Sequence, residues 1–260
     1  MNKKILIIFL AALAVRAGFL AATPPRPITW DDALSWDAVA MNFITQGKFI
    51  DTDGQPTQAR PPVYPIVLGT IYKVFGHHYI AAKAFNALAD SLALVLIFLI
   101  GKKMFGEKPA FYASLALCFY PQLVVYSGVI GTEILYTFII SAFVYVFILA
   151  FDREDTRLYV ASGIILGIAT LCRSTCILYP FFLLGFLVLL KIWKKIDLKP
   201  AAVFLKVIIP MIIVISPWTI RNYIVFNDFI PVNTGSGGLF WSATFEDWDG
   251  RALRGVSPAD

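Results

Sequence analysis

The sequence predicts an all-α protein, a polytopic transmembrane helical bundle of about seven spans with a long first outer loop. Three observations carry that prediction. Of the 260 residues, 58% are hydrophobic and 15% are charged, whereas soluble domains run at about 45–50% apolar with about a quarter of their residues charged. The apolar residues fall in uninterrupted blocks that raise the mean hydropathy to +0.73, and each block approaches the roughly 20 residues a helix needs to cross a bilayer core. The basic residues cluster at the ends of these blocks, as membrane topology requires. The net charge of +5 and the pI near 9.0 are therefore topological, and no nucleic-acid partner is expected.

Taken in order, the blocks place spans at about 5–22, 80–100, 109–130, 133–151, 158–178, 179–193 and 202–220. The first follows Lys3-Lys4 and ends at Ala21-Ala22, which resembles a signal peptide. Arg16 near its outer end argues for a retained helix instead, because an arginine at that depth must snorkel or pair. Spans three and four meet at Gly131-Thr132, and spans five and six at Tyr179-Pro180, so both pairs read as tight helical hairpins. Cys118, Cys172 and Cys176 all lie inside apolar blocks, which fits packing better than disulfides or a metal site. There is no internal repeat and no low-complexity segment.

The charges orient this set. Lys3, Lys4, Lys102, Lys103, Lys108, Arg153, Arg157, Lys191, Lys194, Lys195, Lys199 and Lys206 fall on one side in short segments. The other side carries two long stretches, about 23–79 and 221–260, whose basic residues are matched by acidic ones. The expectation is a multi-pass protein of the cell (inner) membrane with a cytoplasmic N-terminus and both long segments outside. It divides into a transmembrane module, 1–220, and an outer segment, 221–260, that begins a truncated C-terminal part.

An ordered loop as long as 23–79 usually carries function. Within it, Ala33 to Phe43 is expected to be a short helix with Asp31 or Asp32 as N-cap. Val63 to Phe75 is apolar but too short to cross, so it is placed along the interface. Asp31, Asp32 and Asp37 open the loop beside Trp36, and the stretch Arg60-Pro61-Pro62-Val63-Tyr64-Pro65 follows. Three carboxylates at a helix start serve capping and solvation, or one of them acts as a general base at the membrane surface. His77 and His78 point apart on a helix and read as interfacial polarity rather than a metal pair.

These residues resemble a known family. An Asp followed by an aromatic four residues on, then Ala-x-Ala and Asn, then Arg-Pro-Pro-x-Tyr-Pro and Phe-Gly, is similar to the first outer loop of GT-C fold glycosyltransferases. The likeness is to the family 39 type, the bacterial relatives of protein mannosyltransferases and of the lipid A aminoarabinose transferase. It continues through Asn86 and Asp90, Thr132-Glu133, Leu171-Cys172-Arg173, Pro217-Trp218-Thr219-Ile220-Arg221-Asn222-Tyr223 and the Gly235 to Gly238 stretch. The resemblance implies that Asp32 is the catalytic residue, with Trp36 in the place of the usual Tyr, and that Glu133 is a second acidic site residue. Asp31, Asp37, Asp90 and Asn222 are carried as supporting residues.

That resemblance implies sugar transfer from a polyprenyl-phosphate donor at the outer face, to an acceptor that is a lipid, a glycan or a protein. A lipid-phosphate leaving group needs fixed cations around its developing charge, and arginine suits phosphate oxygens. Arg60, Arg173 and Arg221 are the candidates; Arg60 and Arg221 also suit anchoring to the headgroups of membrane lipids. Arg173, inside an apolar block, requires a partner, with Glu133 or Asp90 in reach. Some enzymes of this fold use a divalent cation, but the sequence holds no dedicated ligand set, and no metal residue is assigned. The rival readings are a transporter or flippase of lipid-linked sugars, and an inactive truncated or accessory membrane subunit. Transporters commonly carry inverted repeats, absent here.

Overall fold

The computed structural model describes residues 3–23, 31–234 and 244. They form a helical bundle of α1 (Lys3–Ala22), α2 (Asp31–Gln46), α3 (Val63–Phe75), α4 (Tyr79–Phe105), α5 (Glu107–Cys118), α6 (Pro121–Tyr126), α7 (Glu133–Arg153), α8 (Thr156–Cys172), a 3₁₀ turn (Ser174–Leu178), α9 (Tyr179–Ile192) and α10 (Pro200–Phe226). No described residue lies in a strand. The all-α polytopic architecture is as the sequence predicts.

The expected spans are not all matched by single long helices. Among the described residues, five helical segments are long and apolar enough to cross a membrane: Lys3–Ala22, Tyr79–Phe105, Glu133–Arg153, Ser174–Ile192 and Pro200–Phe226. The expected span 109–130 is broken into α5 and α6. Pro121 has no N–H to continue the helix and pushes Tyr120 into an extended conformation (φ −67°, ψ 115°). The expected span 158–178 also stops early, since α8 ends at Cys172 and Arg173 is extended (φ −148°, ψ 116°). The junction of the fifth and sixth spans is thus Arg173, not Tyr179-Pro180. Helix α10 runs past the expected boundary at 220 to Phe226, so Arg221 and Asn222 lie on its last turns.

Two glycines set how closely the helices pack. In lipid, helix association rests on van der Waals fit rather than on a hydrophobic drive. A Cβ at Gly163 of α8 would fall 2.3 Å from the Val207 carbonyl oxygen of α10, and one at Gly167 would fall 2.7 Å from the Val214 Cβ. This small-xxx-small pair lets the two backbones touch. Gly69 does the same between α3 and α2, where a Cβ would fall 2.7 Å from Ile44 Cγ2 and 2.9 Å from the Ala40 carbonyl oxygen of α2.

The buried side chains form two clusters. The larger joins α2 and α3 to α7–α10 through residues such as Trp36, Tyr64, Leu68, Leu166, Val207 and Met211. The smaller joins α1, α4 and α5 through Ile8, Ala12, Leu94, Phe98, Ala110 and Cys118. Arg16 sits in this second region, fully buried, with its Nε 2.5 Å from Asp90 Oδ2. Its Nη1 donates to the Cys118 carbonyl at 2.8 Å, just before the α5–α6 break.

Charges separate to opposite ends of the bundle. At one end Glu107 pairs with Lys4 at 2.6 Å and Lys102 at 2.7 Å, and Lys103 pairs with Asp152 at 2.7 Å. The two lysines hold the exposed Glu107 carboxyl down at about 2, with Lys102 the stronger influence. At the other end lie α2, α3 and the segment that joins them.

Candidate active site

Helix α2 begins at Asp31, so the two aspartates occupy its first turn rather than the cap position expected of one of them. Carboxylates there still favour the helix, because they face its positive dipole end. The side chain of Asp31 lies outside the described residues, as does the Gly235 to Gly238 stretch. Asp32 is largely exposed and accepts from Arg60 Nη2 at 2.6 Å. Arg60 Nε also donates to Ser35 Oγ at 3.1 Å. Its guanidinium lies 4.7 Å from the centre of the Trp36 ring. Asp32, Ser35 and Trp36 share one face of α2 at helical spacing, and Arg60 lies across that face.

Trp36 connects this pair to a second one. Its ring meets Tyr64 edge-to-face at 5.4 Å. Tyr64 is buried, with its hydroxyl near the backbone of Gly131 and the Glu133 carboxylate close enough to act on it. Burial pushes the Tyr64 hydroxyl well above its ordinary value, so it stays protonated. Glu133 opens α7 and accepts from Arg173 Nη1 at 3.2 Å. The partner of Arg173 is therefore Glu133, not Asp90. A Cβ at Gly131 would fall 2.5 Å from Glu133 Oε2, so a side chain there would shift the carboxylate.

Arg173 gains its position from the end of α8. Its extended backbone follows Cys172, and its amide still donates to the Ala169 carbonyl at 2.8 Å. Both members of the Glu133–Arg173 pair remain part-exposed, at 38% and 44%. They can therefore take a ligand without being dug out of the core.

Asp37 stands apart from Asp32, on another face of α2. It accepts from the Tyr72 hydroxyl at 2.7 Å, and His77 Nε2 lies 3.0 and 3.1 Å from its two oxygens. Burial and the adjacent carboxylate push the Tyr72 hydroxyl well up, which keeps it a donor. His77 packs 4.6 Å from Tyr72, ring to ring. The sequence reading of His77 as bare interfacial polarity missed this tie, which joins residues 40 apart in the chain.

Three expected site residues are engaged elsewhere. Asp90 is buried against Arg16, away from the Arg60 and Arg173 pairs. Arg221 donates to the carbonyls of Thr57 at 3.0 Å and Phe49 at 3.3 Å. Asn222 is fully buried and donates to the carbonyls of Ile230 and Val232. Among the described residues no three His, Cys, Asp or Glu side chains gather into a group that could hold a metal ion.

The dolichyl-phosphate-mannose-protein mannosyltransferase family matches the chain over residues 59–220, well over half its length. The chain belongs to this family. As a member of it, the protein is a multi-pass membrane glycosyltransferase of the GT-C type. The match takes in Arg60, Tyr64, Glu133 and Arg173, whereas Asp32, Trp36 and Arg221 lie beyond its ends. Comparison with curated proteins finds no match. Family members generally draw on lipid-linked sugar donors and pass the sugar to glycan or protein acceptors. Ser35, Tyr64 and His77 are the contributors that sequence reasoning did not assign. Tyr64 lies inside the quoted Arg-Pro-Pro-x-Tyr-Pro stretch, so that motif was the available signal.

Proposed function

We propose that this protein transfers a sugar from a polyprenyl-phosphate donor to an acceptor at the outer face of the cell membrane. The observation that supports this reading is the pair of carboxylate–guanidinium couples, Asp32–Arg60 and Glu133–Arg173, linked through the Trp36–Tyr64 contact. A donor of this kind carries its phosphate at the membrane surface and its tail in the bilayer. Two part-exposed arginines at one end of a helical bundle match that headgroup.

The step balances as an inverting displacement. The acceptor oxygen or nitrogen attacks the anomeric carbon and loses its proton to the Asp32 carboxylate. The anomeric carbon–oxygen bond breaks, and its electron pair leaves with the lipid phosphate. Arg60 and Arg173 meet the charge growing on that phosphate, and Arg173, held by Glu133, does so without having to reorganise. Arg60 releases Asp32 as it turns to the donor, which frees the carboxylate to accept the proton. Glu133 keeps Arg173 in place, and Trp36 stacks against Arg60. Asp37, held by Tyr72 and His77, secures α2 on α3.

The orientation is part of the proposal. With the lysine-rich end in the cytoplasm, the N-terminus is cytoplasmic and α2 faces outward, as the positive-inside rule requires. The experiment is transfer from radiolabelled polyprenyl-phosphate sugars in membranes carrying the protein. Asp32→Asn is expected to lower transfer by about a hundredfold or more. Undiminished transfer by that variant refutes the role of Asp32, and loss with Asp37→Asn instead moves the base to Asp37. Cysteine-accessibility labelling that puts positions 31 to 60 in the cytosol refutes the whole arrangement.

A further inference from the structure

The neighbours of Arg221 give it a task other than phosphate binding. Residues 49–57 form a small hairpin, closed by the Thr57 amide on the Phe49 carbonyl and the Asp51 amide on the Gln55 carbonyl, both at 3.0 Å. The two carbonyls that Arg221 grips, Phe49 and Thr57, are the two ends of this hairpin. A single planar fork spans both. Its remaining described hydrogen bond goes to Asn222 Oδ1 at 3.0 Å, so no carboxylate is among the acceptors found for it in the described residues. The guanidinium lies among aromatic rings, 4.8 Å from Trp218, 5.2 Å from Phe226 and 6.0 Å from Phe49.

The hairpin is tied to the helix that carries Asp32 and, through Ala59, to the chain just before Arg60. On one side Asn42 of α2 donates to the Ile50 carbonyl at 2.9 Å, and Phe43 stacks on Phe49 at 4.9 Å. Ten residues earlier, the same helix carries Asp32. On the other side the chain leaves the hairpin through Ala59, whose amide donates to Thr57 Oγ1 at 3.2 Å. Asn233 holds the Ala59 carbonyl at 3.3 Å, and the next residue is Arg60.

We infer that Arg221 is a positioning residue, which clasps the Phe49–Thr57 hairpin to the end of α10 and thereby sets Arg60 against Asp32. The inference rests on the transferase reading above and deepens it. It assigns the last turn of α10 to holding the reaction loop in register, with the donor phosphate left to Arg60 and Arg173. Lysine is a poor replacement for this arginine, because its ammonium lacks the fixed planar fork that spans both carbonyls and does not stack in the same way.

The test uses the full chain in lipid nanodiscs, with Arg221→Lys, Arg60→Lys and the double variant. Arg221→Lys is expected to lower the maximal transfer rate by about tenfold to a hundredfold, as small misplacements of reacting groups do, with little change in donor KM. Hydrogen exchange of amides 49–57 is expected to quicken. If Arg221 acts through Arg60, adding Arg221→Lys to Arg60→Lys costs little more, because the two losses are not additive. Asn42→Ala loosens the hairpin from the α2 side and is expected to reproduce the rate loss with Arg221 intact.

A raised donor KM with unchanged exchange of 49–57 overturns the inference and returns Arg221 to the phosphate. Losses that multiply in the double variant overturn it as well. Should the wild-type chain transfer nothing, the transferase reading fails, and the clasp stands or falls on the exchange measurement alone.

Discussion

The buried Arg16–Asp90 pair offers a sharp test of how this bundle is held together. Arg16 is 0% and Asp90 1% exposed, and the two meet at 2.5 Å between α1 and α4. Arg16 also serves the carbonyls of Cys118 at 2.8 Å and Ala12 at 3.2 Å. Among the described residues, Arg16 Nη2 and Asp90 Oδ1 have no partner, so the pair is not fully satisfied. Arg16→Met leaves a carboxylate buried without its cation and removes the donor to Cys118. Stranding one member of a buried pair costs about 3–5 kcal/mol. For a chain of this size, that is a fall in melting temperature on the order of 10 °C.

Asp90→Leu strands the guanidinium instead and is expected to cost a similar amount. The double variant Arg16→Met/Asp90→Leu removes both desolvated charges. Replacing a buried pair by packed apolar groups is commonly neutral or stabilising by about 1–4 kcal/mol. The expected outcome is two singles that melt early and a double that melts near the wild type. Intrinsic fluorescence melting in a mild detergent measures all four proteins. Singles that melt with the wild type, or a double that loses the sum of both, refute the reasoning.

Other perturbations probe packing, the reaction loop and the opposite end. Gly163→Ala puts a methyl 2.3 Å from the Val207 carbonyl oxygen. Overpacking of this kind costs about 1–3 kcal/mol, and an unchanged melting temperature rejects the tight α8–α10 contact. Gly69→Val forces α2 away from α3, since even a Cβ there meets Ile44 Cγ2 at 2.7 Å. Transfer is expected to fall by about tenfold or more with little loss of global stability; full activity argues against α2 as the carrier of the base. Glu107 tests electrostatics at the lysine-rich end. Its folded value of about 2 lies below the ordinary 4.5, so what its ties contribute is complete above about 4.5 and fades as the pH falls towards 2. A carboxyl NMR titration of labelled Glu107 is expected to show a midpoint near 2, and an ordinary midpoint removes the paired lysines from the picture.

Much of this protein is legible in one dimension. A bilayer imposes a length on each apolar block and a charge bias on each end, so the blocks and their lysine-rich flanks announced the helical bundle before any contact was known. The short apolar helix Val63–Phe75 followed from the same rule, its apolar run being too short to cross. The breaks were harder to read. Pro121 lies inside an apolar run that looks continuous, and its cost to the helix is local. The early stop at Cys172 has no proline or glycine to mark it, and the extended Arg173 is held by its tie to Glu133, 40 residues away.

What only the tertiary structure decided is which charges meet. Opposite charges in a low-dielectric setting must find partners, but the sequence does not say which. Arg173 had two candidate carboxylates until α7 brought Glu133 to it and α1 brought Arg16 to Asp90, across 74 residues. Arg221 matches the pattern of a phosphate ligand, and only the fold shows that the hairpin ending at Thr57, 164 residues earlier, lies under its guanidinium. Periodicity and length act along the chain and can be read there. Pairing depends on which helices touch, and close contacts such as that of Gly163 with Val207 are a property of the packed bundle alone.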